Sequence, residues 1–228
     1  MARHALLTAL ALIAVLNCSC ANPAANKPKA SVSNAAPEGN SAKPAGAETL
    51  TISPDNSKVD FVAAKVTRSH NGSFKRFSGT IDLTNNKPED SRVSIDIEAN
   101  SIETDEPDLT KHLQTPDFFD VAKFPKATFV STKIEKRDLG GASDTAQQQQ
   151  DPHWTETQYT ITGNFELHGI KKAITFPATI QITPDHVTVN AEFAINRKDW
   201  GLLYPGKADD LIRDGVVIKL TVNAPRKK

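Results

Sequence analysis

Few side chains in this sequence are placed to do chemistry. His112 lies just ahead of Asp117 and Asp120, and an imidazole beside a carboxylate can act as acid and base on a ligand held next to them. His168 is remote in sequence and precedes Gly169, where a hairpin turn is expected, so its role there is turn geometry and surface hydrogen bonding. No HxH, HExxH or GxSxG spacing occurs, so no metal, no cofactor and no activated nucleophile are expected. Cys18 and Cys20 are the chain's two cysteines, and both precede any folded segment. The folded part therefore has no disulfide, and its stability must come from its core.

The elements around these residues are written in apolar alternation. Tyr159, Ile161, Phe165 and Leu167 form one run, Ile174, Phe176, Ala178, Ile180 and Ile182 a second, and Val187, Val189, Ala191, Phe193 and Ile195 a third. Parity flips at each turn between them, as in antiparallel strands with one apolar and one wet face. The same pattern recurs at Val59, Phe61 and Ala63, at Phe77, Ile81 and Leu83, at Val93, Ile95 and Ile97, over 127–134, and at Val216, Ile218, Leu220 and Val222. That makes eight strands, separated by turn signals such as Asn85-Asn86 and Thr183-Pro184-Asp185. An eight-stranded up-and-down antiparallel barrel leaves no exposed edge and is favoured over a sandwich.

Two segments break the alternation. Leu109, His112 and Leu113 are at helical spacing and lead into Pro116-Asp117-Phe118-Phe119-Asp120, which predicts a short helix and turn capping one barrel end. There Asp117 and Asp120 are expected to accept backbone hydrogen bonds. Residues 137–157, with Gly140-Gly141 and the run Gln147 to Gln150, read as a long hairpin loop. Asn71-Gly72-Ser73 matches a glycosylation sequon and is expected to be a turn.

The N-terminus carries Arg3 and His4, an apolar stretch over 5–16, and then Asn17-Cys18-Ser19-Cys20. This is an export signal over 1–19, too short for a permanent membrane span. Its end resembles a bacterial lipoprotein cleavage site, with Cys20, or alternatively Cys18, as the lipidated residue. Residues 20–48 hold almost no large apolar side chain and are expected to be a disordered tether of about 30 Å average span. A single domain then fills 49–225, ahead of a basic tail at 226–228. Twenty-seven basic residues balance twenty-seven acidic ones, which argues against nucleic-acid binding and against a polybasic membrane surface.

Within the domain, five groups occur in a specific order: residues 72–81 (Gly-Ser-Phe-Lys-Arg-Phe-Ser-Gly-Thr-Ile), 112–125 around His112-Leu113 and Phe118-Phe119, 127–131, 162–169 (Thr-Gly-Asn-Phe-Glu-Leu-His-Gly) and 196–201 (Asn-Arg-Lys-Asp-Trp-Gly). Together they resemble the YceI-like family. The resemblance implies an all-β, eight-stranded, antiparallel lipocalin-like barrel with a short helical cap. It further implies that the barrel binds an isoprenoid-type amphiphile, a polyprenyl phosphate or a quinone, for carriage or storage in the bacterial cell envelope, without catalysis.

On that reading Phe61, Phe77, Phe129, Tyr159, Phe165, Phe176, Ile180, Phe193 and Ile218 line the tunnel. Each buried methylene of a tail contributes about 0.8 kcal/mol, yet the same side chains would equally fill a dry core. Phe118 and Phe119 would form a lid or a fixed plug. Among the basic motif residues Lys75, Arg76 and Arg197, Arg197 is the head-group candidate, against a structural pairing with Asp199 or a turn carbonyl. Alternatives are a carrier of fatty acids or fatty amides, and a lipid-acting enzyme using His112 with Asp117 or Asp120. The expected location is periplasm-facing and lipid-anchored, with the outer membrane favoured, and a homodimer is allowed.

Overall fold

The alternation resolves into one antiparallel sheet that curls back on itself. The computed structural model describes residues 22–37, 43–137 and 158–226. Its strands are β1 Ser31–Asn34, β2 Glu48–Ile52, β3 Ser57–Ala64, β4 Ser69–Phe74, β5 Phe77–Thr84, β6 Lys87–Glu98, β7 Ile102–Thr104, β8 Lys126–Lys136, β9 Gln158–Leu167, β10 Ile170–Ile182, β11 His186–Asn196, β12 Gly206–Lys207, β13 Asp210–Leu211 and β14 Gly215–Pro225, with the helix α1 at Pro107–Leu113. The main sheet holds twelve of these in the order β2-β5-β6-β8-β9-β10-β11-β14-β3-β4-β7, with β1 beside β10.

The two ends of that order are joined by the chain itself. β2 runs into β3 through a four-residue turn, β4 into β5, and β6 into β7 through a short 3-10 turn at Ala99–Ser101. β2 pairs with β5 while β3 pairs with both β4 and β14, so the ring closes through one kinked strand. Counted as continuous runs, these are the eight strands the alternation predicts. The kinks, together with β1, β7 and the β12–β13 hairpin, account for the larger number of segments. An all-β, lipocalin-like antiparallel barrel with one short helix is the fold.

Turn chemistry explains the tight hairpins. Asn85 and Asn86 have φ of 54° and 55°, and His168 and Gly169 have 51° and 72°, the left-handed pairs that match the twist of two-residue hairpins. A register shift between Ser131 and Lys133 marks a bulge in β8, where the Ser131 hydroxyl accepts the Val93 amide at 2.8 Å in place of a ladder bond.

The expected tether is not a coil where it is described. Beyond Thr179–Ile182, which pair with Asn190–Val187, no further β10–β11 rungs form, and the N-terminal segment enters the seam. Ser31–Asn34 pair with Thr175–Lys172 of β10, while Ala30 and Ala194 are bonded at 2.9 Å and Ala194 and Pro28 at 2.8 Å on the β11 side. Ala30 and Val32 pack against the main core, and the Asn164 side chain holds Ala36 through two reciprocal 2.9 Å bonds. Ala24 is buried against Ala194 and Val217. Low apolar content did not prevent ordering, because the segment needs no core of its own: it satisfies open backbone groups and adds two side chains to a core already present. Residues 38–42, Cys18, Cys20 and the 138–157 part of the expected loop lie outside the described residues.

Two further expectations change. Asn71-Gly72-Ser73 lies inside β4 rather than in a turn, with Gly72 opposite Phe61. Arg226 is not a free basic tail residue, since its guanidinium binds Glu48 at 2.7 Å, Asn86 at 2.9 Å and the Thr183 carbonyl at 3.0 Å.

Candidate functional site

Inward-facing residues of the barrel form two apolar clusters. The larger contains Phe77, Tyr159, Phe176, Ile180 and Phe193 with Trp200, while Phe61 belongs to a smaller one with Ile102, Leu113 and Phe118 under the cap. In the larger cluster Phe176 stacks on Phe193 at 4.2 Å and 14°, and Phe129 tilts against Phe176 at 5.7 Å. Phe165 meets Trp200 edge-on at 5.3 Å, and Trp200 has no exposed surface. All nine expected wall residues thus face the interior, six of them buried and Phe129, Phe165 and Ile218 partly so.

The clusters meet through residues that neither fully buries. Phe74, Phe119, Val216 and Ile218 pack against both and still keep accessible surface. These four side chains bridge the two clusters inside the barrel.

Glycine makes room for two of the aromatics. A Cβ on Gly72 would come within 2.2 Å of the Phe61 ring, and one on Gly163 within 2.5 Å of Phe129. Each ring lies flat across the neighbouring strand, so both glycines in the motif groups serve close packing.

The cap is fastened at three places. Phe124 covers the His168-Gly169 turn with its ring 4.5 Å from His168. The His112 ring stands edge-on to Phe118 at 5.0 Å and to Tyr204 at 5.1 Å, and its Nε2 pairs with Asp117 at 2.9 Å. Asp117 therefore holds the His112 ring in addition to any role in its local turn. At the third place the buried His70, pointing inward beside Ala63, binds Asp105 at 2.8 Å just before α1. Burial by itself would raise the Asp105 pKa, but the His70 ring and the Asn71 amide hold it below the ordinary value. Phe118 is buried between these contacts, while Phe119 leans edge-on against Phe74 at 6.0 Å.

Arg197 does not present its charge to the interior. It is buried, and its guanidinium donates to the carbonyls of Leu202, Arg213 and Ile212 and pairs with Asp214 at 3.3 Å. The partner is Asp214 and not Asp199. Its charge organises the loop over 201–214. Arg76 is engaged with Glu98 at 2.6 Å and Asn100 at 2.8 Å on the surface, and Lys75 faces Glu103 at 3.7 Å.

The sequence reading missed His70, Tyr204 and the N-terminal strap formed by residues 24–36 along the β10–β11 seam. His70, Gly72 and Phe74 alternate as a strand should, but a histidine and a glycine on the inner face do not register as apolar. An open depression of about 390 Å³ lies over β3 and β4, lined by Phe61, Val62 and Gly72 as well as by Asp60, Glu103 and Lys219. Among the described residues no cluster of three or more His, Cys, Asp or Glu is placed to hold a metal ion.

The five motif groups meet at the capped end or run directly into it, and this convergence agrees with a match to the YceI-like domain over residues 50–224. The chain belongs to the YceI-like family. It is 31% identical over 141 residues to a UPF0312 protein of Pseudomonas putida, covering 59% of this chain and 65% of that one. It is 35% identical over 109 residues to Protein YceI of Salmonella arizonae, covering 48% of each. The chain thus spans less than two thirds of the length of these relatives. In fold it is similar to Burkholderia cenocepacia BcnA (TM-score 0.61, 22% identity, 76% of this chain and 99% of that one). It is likewise similar to a polyisoprenoid binding domain of Saccharophagus degradans (TM-score 0.58, 16% identity, 79% and 99%).

Proposed function

We propose that this YceI-like barrel binds the tail of an isoprenoid-type amphiphile between its two apolar clusters and carries or stores it in the cell envelope. The observation that supports this most is the set Phe74, Phe119, Val216 and Ile218, which touches both clusters without being buried by either. A polyprenyl chain, a string of branched five-carbon units, fits a wall of aromatic and β-branched side chains. At about 0.8 kcal/mol per buried methylene it needs few polar contacts for tight binding. The name of the Saccharophagus degradans neighbour agrees with such a ligand.

The His112–Asp117 pair serves this function as a fastener of the cap, because Phe118 and Tyr204 hold both edges of the ring. The export signal and the cysteine at its end support a periplasm-facing protein anchored by lipid on Cys20 or Cys18. Native mass spectrometry of the protein released in mild detergent tests the binding reading. The expected result is an adduct that organic extraction removes and whose fragments carry isoprenoid repeats; an adduct of straight-chain fatty acyl mass would move the ligand class to fatty acids or amides, and bare polypeptide alone would refute carriage.

A further inference from the structure

Three large apolar side chains stand out of the described surface: Val66 at 47% exposure, Leu203 at 62% and Leu211 at 49%. They are not scattered. The Val66 amide bonds the Leu211 carbonyl at 3.1 Å, which sets the 64–68 turn against the β12–β13 hairpin. Leu203 follows Leu202 and Leu211 precedes Ile212, and the carbonyls of Leu202 and Ile212 both accept from buried Arg197. One guanidinium thus fixes the loop that holds both leucines outward.

This rim belongs to the capped end, because Tyr204 of the same loop touches His112 and Phe118. The described N-terminal segment starts there as well. Ala24 packs on Val217 near the beginning of β14, next to Gly215, whose missing side chain leaves space for it. The 21 residues before Asn22 include the apolar stretch over 5–16 and both cysteines. A lipid on Cys20, two residues ahead, would be within about 7 Å of Asn22 along the chain. Ion pairs of both signs lie around the rim, with Lys65 on Asp210 at 3.4 Å, Arg68 on Glu106 at 3.3 Å and Lys198 on Asp214 at 2.9 Å.

We infer that this rim is a membrane-contacting surface: Val66, Leu203 and Leu211 enter the outer layer of a lipid bilayer and set the capped end of the barrel against it. The partner is a bilayer because the segment leading to the cysteines starts on this face and the paired charges leave apolar insertion as the attraction. The inference deepens the lipid-binding reading, since a mouth held on the bilayer lets a tail pass without crossing water, but its geometry stands without that reading.

The test is amide hydrogen exchange on the full chain, with and without vesicles of phosphatidylethanolamine and phosphatidylglycerol. Exchange should slow in 64–68 and 201–212 and stay unchanged in the 183–186 turn at the far end, in low and high salt alike. Leu203→Ser with Leu211→Ser, both at exposed positions, should abolish that protection and lower vesicle affinity by about tenfold or more where no lipid anchor dominates. The double variant should keep any co-purifying lipid, so loss of docking and loss of carriage are read separately. Equal protection at both ends, no protection, protection that survives the double variant, or protection that grows with protein concentration in the absence of vesicles, as for a second copy, would each overturn the inference.

Discussion

Replacing Asn164 by Ala should loosen the N-terminal strap without unfolding the barrel. Asn164 is buried, and its amide acts as a surrogate peptide group, accepting from the Ala36 amide and donating to the Ala36 carbonyl at 2.9 Å each. A net intramolecular hydrogen bond contributes about 0.5–1.5 kcal/mol, so losing both weakens strap docking by about 1–3 kcal/mol, or roughly 5–150-fold in the local opening equilibrium. The Lys27–Glu192 pair at 2.8 Å is about a third exposed on each side and worth at most about 1 kcal/mol, so it does not offset the loss, and the β1 rungs and the Ala194 bonds are the same before and after the substitution. Native-state hydrogen exchange reads the effect directly. Amides of Ala30 to Ala36 and the β10 groups paired with them should exchange faster by that factor, while those of the β11–β14 ladder keep their rates. Unchanged exchange over Ala30 to Ala36 would refute the clamp, and an equal acceleration in β11–β14 would mean that the strap opens only with the whole barrel.

Acid should act on the same contacts. Burial pushes Glu192 up, but Lys27 and Lys219 hold it below its ordinary pKa, as His70 and Asn71 do for Asp105. A depressed native pKa contributes stability above the unfolded value and loses it as pH falls through the native one, so strap and cap should loosen below about pH 4; proteolysis near residues 27–36 that did not rise there would contradict this. Trp200→Ala removes the largest fully buried side chain among the described residues and should cost about 3–5 kcal/mol in urea unfolding. Gly72→Val should force the Phe61 ring off β4 and lower Tm through strain and repacking, whereas Gly46→Ala, with no atom near its Cβ position, meets no steric clash and only a backbone cost at its φ of 76°. Arg197→Met should leave three carbonyls without their donor and cost about 3 kcal/mol or more, with the 201–214 loop losing its exchange protection first.

The barrel was legible because each of its eight long runs buries one face, and burial writes itself into every second residue. The seam strand β1 was not, since what orders it is main-chain pairing with Thr175–Lys172 and the Asn164 amide, neither of which leaves an apolar pattern in residues 31–34. Charge misleads in a related way. Arg197 reads as a head-group ligand because a guanidinium is expected to seek an anion, yet most of its partners are peptide carbonyls, which any sequence supplies. His112 was legible as part of the cap, but its contact with Tyr204 depends on a loop folding back from more than ninety residues downstream. The interior aromatics could be placed by parity alone. Which of them join the two clusters depends on packing at Phe74 and Ile218, which no local pattern encodes.

The placement of fasteners bears on how the interior could exchange a tail. At the far end Arg226 joins β2, the Asn85-Asn86 turn and the Thr183 carbonyl, so three connections are tied by one guanidinium. At the capped end the tip of the cap is held by individually weak ties, edge-on ring contacts of about 0.5–1.5 kcal/mol from His112 to Phe118 and Tyr204 and a half-exposed pair at Asp117, while buried His70 and Arg197 fix the chain on either side of it. The seam beside β1 is held by four residue pairs, the Asn164 clamp, the bonds of Ala30 and Pro28 to Ala194 and the Lys27–Glu192 pair, fewer contacts than a full-length ladder makes. Opening either costs far less than breaking the long β8–β9, β9–β10 or β11–β14 ladders. Both openings lie at the end that bears Val66, Leu203 and Leu211. For a tail to enter from a bilayer, the parts of the wall that yield most easily are therefore the parts this rim would bring to the lipid.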